Sequence, residues 1–490
     1  MRSRGSAPVH DLFKRRTPAR FYGRAMSDLG VLGATLDGEL LTPGVAGYDD
    51  VRRPRNVAFA DVRPRAIVLC RSERDAVAAV RYAARSGLRL APRGGGHCFA
   101  GRSSTDGMVL DLSALSGIDV RSDGTASIGA GARLGQVYRA LSAHGRTLPG
   151  GCGAGVGIAG LTLGGGIGLL GRSAGLTSDR LVGARVVLAD GAVVDCDAER
   201  EPDLFWALRG AGGGQFGVVT SFRFATIAEP ATVRVDARPH VLDLDAAAGL
   251  IGAWQRWAPG APDALTVCLT VEGASGGPGV LVRVSGASTL PVAHTRELLD
   301  AFAATVPVPI ELRLSGPMPF SALKDTLADD ARSADGQPLR IRSEFFDGEL
   351  SEGTLVRLVT ALTATATSTA ERGSGTRRLT FTPMGGGYDR VAEHETAFAH
   401  RGQRFLLEHA AAPGDDWVDV SWTTAHPDAS GRVYPNFPDA ALTDPVAAYH
   451  AGNAARLSEV KRHYDPHGFF RFPQAIDPGT TKHHTKEVRS

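Results

Sequence analysis

The sequence predicts an α+β protein organised around a cofactor site, and three observations carry that expectation. Glycine clusters recur at residues 93–97 ("RGGGH"), 155–168 ("GVGIAG...GGGIG") and 210–217 ("GAGGGQFG"). A strand–helix–strand pattern leads into the first of them. From about Val233 the clusters thin out, and alternating strands mix with amphipathic helices.

The elements follow in chain order. "AIVLC" (66–70) reads as a strand. "SERDAVAAVRYAARSG" reads as a helix with Ser72 as N-cap, an acidic first turn and Gly87 as the stop. "LRLAPRGGGH" returns as a strand that breaks into Gly94, Gly95 and Gly96. Such a unit is of the kind that wraps a cofactor. "MVLDLSAL" is an apolar strand, and "TASIGAGARLGQVYRALSAHG" is a strand running into a helix. "LVGARVVLADGAVVDC" is a hairpin turning at Asp190-Gly191. "DLFWALRGAGGGQFGVVTSFRF" is a helix, a glycine loop and a strand. Further on, "ALTVCLTVEG" and "GVLVRVSG" are strands, while "VAHTRELLDAFAAT" and "EGTLVRLVTALTATA" are helices, which predicts a helix-covered sheet. "SGRVYPNFPD" is a turn-rich crossing. "DPVAAYHAGNAARLSEVKRHYDPHGFF" predicts one amphipathic helix stopped at Asp465-Pro466.

Composition bounds the function. At 490 residues the chain exceeds one ordinary core. Its 43% hydrophobic and 22% charged content fits a soluble globular protein, and a net charge of +2 points to neither nucleic acid nor an anionic membrane. No apolar run reaches membrane-spanning length. The basic start contains Arg15-Arg16 without the apolar segment a twin-arginine signal needs, so it reads as a loose extension. Five cysteines without metal-type spacing read as reduced cytosolic thiols, and the tail pair His483 and His484 as a disordered end with no metal role. The thiols make the cytoplasm the expected location, and the excess of Arg over Lys with plentiful Ala and Gly suggests a GC-rich bacterial genome.

Successive glycines allow positive φ and turn several N–H groups inward, which suits a pyrophosphate joined to a flat ring system. One match is a decoy. Gly155-x-Gly157-x-x-Gly160 followed by Asp179 mimics the dinucleotide fingerprint, but that fingerprint follows a buried strand, and "AHGRTLPGGCGA" is not one.

"PRGGGHCFAGRSS", "GIAGLTLGGGIGLLGRSAGLTSDRLVGARVVLADG", "DLFWALRGAGGGQFGVVTSF" and "YDPHGFFRFPQAI" together resemble the berberine bridge enzyme-like branch of the vanillyl-alcohol oxidase / p-cresol methylhydroxylase superfamily of FAD-linked oxidases. The resemblance spans residues 63–476. It implies a two-subdomain FAD-binding domain, plus an α+β substrate domain whose antiparallel sheet lies over the isoalloxazine. The boundaries it suggests are a basic extension (1–25), the first part of the FAD-binding domain (26–232), a substrate domain (233–430), a C-terminal segment completing the FAD-binding domain (431–478) and a tail (479–490). It implies FAD bonded through its 8α-methyl group to His97. It also implies cofactor contacts at Arg93, Gly94, Gly95, Gly96, Gly101, Gly153, Val156, Gly157, Gly160, Gly217, Val218, Tyr434 and Asn436.

The sequence also departs from the family. Relatives with a second link, from Cys to flavin C6, carry a pattern like L-P-A-G-T-C-P-T-V-G-I-A-G. Laid without gaps on "LPGGCGAGVGIAG", the Cys position falls on Gly153 and the thiol of Cys152 stands one residue early. Either glycine slack lets Cys152 reach C6, or the second link is absent. Cys98 reads as a small buried residue. Three positions where relatives often carry hydroxyls are Phe99, Ile167 and Phe437 here, and in "DPHGFF" Gly468 replaces a common Asn. The candidates left for a base are Glu408 in "RFLLEHAAA" and then Tyr388 in "GGGYDRV", since a carboxylate facing an apolar pocket has its pKa raised.

The function these readings imply is oxidation of a hydrophobic natural-product intermediate of secondary metabolism, such as antibiotic biosynthesis. Hydride would pass to flavin N5 and O₂ would be reduced to hydrogen peroxide. The substrate is a small molecule, and the oligomeric state stays open. A carbohydrate oxidase, an oxidative cyclase and a flavoprotein catalysing a non-redox rearrangement are the alternatives.

Overall fold

The computed structural model describes residues 22–237, 240–273, 279–332, 339–363 and 377–479. The Arg15-Arg16 start and the His483 and His484 tail lie outside them.

The first sheet is built as its sequence reads. Strand Ala66–Leu69 leads into helix Glu73–Ser86, which returns as strand Leu90–Arg93. Ser72 caps the helix reciprocally with Asp75, and Gly87 closes it at φ 62°. Both strands pair in parallel with Met108–Asp111, which lies between them, and Glu39–Leu41 adds an antiparallel edge. A second, antiparallel sheet runs in the order Ile118–Val120, Thr125–Gly129, Val218–Ala225, Leu181–Val187, Val193–Cys196. The predicted hairpin is its last pair, with Gly191 at φ 79° in the turn.

The third sheet has nine strands. Its main path is Leu312–Leu314, Ala231–Ala237, Val280–Ser288, Leu265–Gly273, Arg378–Pro383, Phe405–Ala411 and Arg340–Phe346, all antiparallel. Period-two alternation splits its faces. Leu265, Val267, Leu269, Val271, Leu379, Phe381, Phe405 and Leu407 pack beneath helices Leu244–Trp257, Glu352–Thr363 and Trp417–Ala425. Cys268, Thr382, Leu406 and Glu408 fall on the opposite face. None of the described helices is long and apolar enough to cross a membrane.

The C-terminal segment differs from its expectation. The single helix is broken into Pro445–His450, a short 3₁₀ turn Ala451–Asn453 and Ala454–Tyr464. Ala451 takes φ 43°, and the break points the Asn453 amide at the carbonyls of Glu393 (2.7 Å) and Thr396 (3.1 Å). Gly468 sits at φ 59°, a conformation Asn also tolerates, so the departure from Asn costs the fold nothing. The segment is tied back by a buried ammonium. Lys461 donates to Asp465 (2.6 Å) and to the carbonyls of Phe470 (2.8 Å) and Gln215, while the Gln215 side-chain oxygen accepts from Ile476 N (3.0 Å). Lys461 and Asp465 are both fully buried.

Removing one member of a buried ion pair leaves the other charge uncompensated. Lys461→Met is expected to cost about 3–5 kcal/mol of stability, read by urea denaturation. A loss below about 1 kcal/mol would show that the tie is not structural.

Candidate active site

Two glycine loops meet backbone to backbone and open the site. A Cβ on Gly95 would stand 2.3 Å from Gly157 N, and one on Gly157 would stand 2.4 Å from Gly95 N. No side chain is compatible with either position. Arg133 locks the crossing, donating to the carbonyls of Gly95 (3.2 Å) and Gly155 (2.8 Å). His97 leaves the first loop with its ring against the second, Nε2 lying 3.4 Å from where a Gly155 Cβ would stand.

The crossing borders a cavity of about 520 Å³. His97, Gly94, Gly95, Gly96, Gly101, Cys152, Gly153, Val156, Gly157, Gly160, Gly217, Tyr434, Asn436 and Glu408 all line it. Gly160 lies inside helix Ile158–Leu163, yet no atom stands within 4 Å of where its Cβ would be. A helical glycine costs about 1 kcal/mol against alanine, so bare backbone here fits a wall against which a flat ligand packs. The glycine-lined cradle, an imidazole on its wall and a volume in the small-molecule range suit a flavin.

Three expected site residues are not on the wall. Arg93 is buried and donates to the carbonyls of Ser103 (3.0 Å), Val51 (2.7 Å) and Arg52 (3.1 Å), so it braces the loop instead of touching a cofactor. Val218 is buried in its strand, and its neighbour Val219 takes the wall position. Tyr388 is buried behind the wall, donating to Gly168 O (2.9 Å) and accepting from Gly168 N (3.2 Å). Burial pushes its phenol well above the ordinary range. A phenol so engaged and so weakly acidic is no base, which removes the second candidate.

Glu408 remains. It occupies the centre of strand Phe405–Ala411, on the face turned to the cavity. Among the described residues no hydrogen bond or ion pair holds its carboxylate. Burial pushes it up to about 7, with Arg378 pulling weakly the other way. The surroundings are apolar: Phe99 meets Phe437 edge to face at 5.6 Å, Phe437 meets Tyr434 at 5.1 Å, and Ile167 and Leu406 complete the wall. Above the triple glycine, the Tyr434 oxygen accepts from the N–H groups of Gly166 (3.1 Å) and Ile167 (3.0 Å) and from Asn436 Nδ2 (3.0 Å).

The structure adds residues that the sequence reading missed. Cys268 and Thr382 line the cavity beside Leu406. Their signal was present in "LTVCLTVEG" (265–273) for Cys268 and in "RLTFTP" (378–383) for Thr382, strands whose even-numbered residues face away from the helix-covered side. Lys324 carried no such signal. It is buried on helix Phe320–Arg332 and donates to the carbonyls of Gly150 (3.3 Å) and Gly151 (3.1 Å) and to Cys152 Sγ (3.4 Å). Cys152 is exposed on the cavity wall, whereas burial raises the thiols of Cys70, Cys196 and Cys268.

The chain is similar to known proteins. Residues 64–197 match the family model described as FAD binding domain, and residues 433–477 match the one described as berberine and berberine like. An FAD-linked oxidoreductase of Bacillus subtilis, YgaK, is 32% identical over 90% of this chain and 97% of its own. A solved chitooligosaccharide oxidase covers 93% of this chain and 100% of its own, with a TM-score of 0.81 and 25% identity. The glucooligosaccharide oxidase of Acremonium strictum, described with a 6-S-cysteinyl, 8α-N1-histidyl FAD, shares the fold at a TM-score of 0.83 and 24% identity, covering 92% of this chain and 100% of its own.

Gly157→Ala is expected to force the loops apart, giving protein without bound flavin and with a lowered melting temperature. Gly160→Leu is expected to block flavin uptake while still folding, with the melting temperature of flavin-free wild type. Both are read by the absorbance spectrum and calorimetry of purified protein. Flavin content unchanged in Gly160→Leu would contradict the cradle.

Proposed function

We propose, for a chain that belongs to the berberine bridge enzyme-like family of FAD-linked oxidoreductases, the oxidation of a hydrophobic small molecule (an alcohol, an amine or an acidic C–H compound) in bacterial secondary metabolism. The observation that carries this reading is one ionisable carboxylate, Glu408, lining the same cavity as His97 and the apolar side chains of Phe99, Ile167, Leu406 and Phe437. The bound flavin would accept hydride at N5 and pass the electrons to O₂, yielding hydrogen peroxide. His97 would hold the flavin through its 8α-methyl group, and the glycine backbones at 94–96, 157 and 160 would lie against it. Cys152, the most exposed of the cysteines on the cavity wall, would supply a second link, and the Lys324 contact to its sulfur and to two neighbouring carbonyls supports that role. Its location would be the cytoplasm.

Glu408 would take the substrate proton, a step that general bases accelerate by about 10²–10⁴-fold. Phe99, Ile167 and Phe437 would exclude water and favour apolar substrates over sugars, since a sugar site needs many hydrogen-bonding partners. Carbohydrate oxidation is the second reading, favoured by the oligosaccharide oxidases among the similar proteins. Anaerobic mixing with apolar alcohols and amines, and separately with chito- and glucooligosaccharides, decides between them. Bleaching of the flavin by the first set is expected. Bleaching by the oligosaccharides alone would install the second reading, and bleaching by neither would sink both.

The ionised form of Glu408 is the base, so the rate of flavin reduction is expected to rise as pH rises through about 7. Glu408→Gln should abolish that limb and slow reduction about 10²–10⁴-fold. The same group acts on stability with the opposite sense. A carboxyl raised on folding binds more protons folded than unfolded, so its contribution is present at acid pH and lost as pH rises through 7. Above pH 7 Glu408→Gln should therefore melt higher than the wild type.

A further inference from the structure

A buried ammonium stands behind the second glycine loop without an acid to pair with. Lys324 is 3% exposed, and among the described residues no carboxylate forms an ion pair with it. Its three N–H groups go to the carbonyls of Gly150 (3.3 Å) and Gly151 (3.1 Å) and to the Cys152 sulfur (3.4 Å). Two rings flank it, with Nζ 4.8 Å from the centroid of Phe320 and 5.4 Å from that of Tyr138. Tyr138 also donates to Gly151 O (2.6 Å), so the turn is gripped from two helices, Leu134–Ser142 and Phe320–Arg332. A buried charge is costly unless an opposite charge meets it. Of the three groups that accept from Lys324, only the Cys152 sulfur can become an anion. The other ionisable groups near this sulfur are Tyr138, Cys268 and Tyr388. Burial keeps all three neutral, with the Cys268 thiol pushed up to about 12.

We propose that Lys324 is a positioning residue for Cys152: it fixes the Gly150–Gly151 turn and supplies the positive charge against which the sulfur ionises, so that a thiol standing one residue early in the sequence still attacks the flavin at C6. The inference rests on the flavin-oxidase reading above and deepens it, because it names what compensates the shifted register. Three thiols line the cavity, Cys98, Cys152 and Cys268, and among the described residues Cys152 alone of them receives a hydrogen bond from a cation. The thiolate is the nucleophilic form. The thiol proton leaves to solvent and Lys324 keeps its own. Sulfur then bonds to C6, the C6 hydrogen departs as a proton, and the electron pair it leaves behind reduces the ring. O₂ takes up those two electrons with two protons as hydrogen peroxide. The sum is one thiol, one flavin and one O₂ giving one thioether-linked flavin and one hydrogen peroxide.

The test uses full-length holoprotein, digested and read by mass spectrometry for flavin on the peptides containing His97 and Cys152. In the wild type the two peptides are expected to be joined through one flavin. Lys324→Gln keeps a donor for the carbonyls and removes the charge. Purified at pH 7, its doubly linked fraction should fall at least about tenfold, the scale on which a neighbouring cation changes thiol ionisation, while flavin on His97 is retained. Aerobic incubation of this variant at about pH 10, where a free thiol ionises without help, should restore the link. Lys324→Arg keeps the charge and should keep the link at pH 7. A wild type with flavin on His97 and a free Cys152 would overturn the proposal, and so would loss of the link in Lys324→Arg. Lys324→Gln linked as fully as the wild type at pH 7 would overturn it too. So would Lys324→Gln that stays unlinked at pH 10, since the lysine would then only brace the turn. Wild-type protein that purifies without flavin would instead overturn the oxidase reading beneath it.

Discussion

Gly95 and Gly157 touch through their backbones, and the site depends on that contact. At 2.3–2.4 Å from the opposing nitrogen there is no room for a Cβ on either residue. The first loop continues strand Leu90–Arg93 of the four-stranded mixed sheet, and the second opens helix Ile158–Leu163. Their crossing sets His97 against Gly155 and leaves Cys152 and Gly153 on the same cavity wall. Arg133 fixes the crossing from outside by gripping one carbonyl of each loop. The other walls then have to arrive from far along the chain. The nine-stranded sheet brings Glu408, Cys268 and Thr382, and the C-terminal segment brings Tyr434 and Asn436. The buried Lys461–Asp465 pair fastens that segment to the third glycine loop.

Electrostatics inside the cavity follow from what lines it. Aromatic and aliphatic side chains stand where a polar site would have hydroxyls, so the few polar groups are poorly solvated and strongly felt. Burial moves Glu408 to about 7, where a small change in pH or in occupancy changes its charge. The same burial drives Tyr388 far from any useful acidity, although its hydrogen bond with Gly168 pulls the other way. Environment, more than residue type, separates the two candidates for a base, Glu408 and Tyr388.

Much of this was legible in the sequence. Ser72, Gly87 and Asp190-Gly191 act locally, and local signals place caps and turns well. The glycine clusters announced a cofactor cradle because only close approach explains so many of them. What the sequence did not disclose depends on contacts between distant segments. Arg93 looked like part of the cofactor loop, but its guanidinium turns inward to three carbonyls. Lys324 had no motif, since its meaning arises only where its helix meets the Gly150–Gly151 turn. The break at Ala451 was carried by "HAGN", and it is stabilised by Asn453 reaching carbonyls some sixty residues earlier. The sequence sets Cys152 one residue early, and both Cys152 and Gly153 line the wall, because a glycine-rich turn need not alternate as a strand does.

The central claim is that the crossed glycine loops form a flavin cradle with His97 as its covalent anchor. Acid precipitation of the purified protein, followed by mass spectrometry of its peptides, tests this directly. The account predicts that the precipitate stays yellow and that the peptide containing His97 carries the mass of the flavin nucleotide, alone or joined to the peptide containing Cys152. Complete release of flavin into the acid supernatant, with the His97 peptide unmodified, would contradict it.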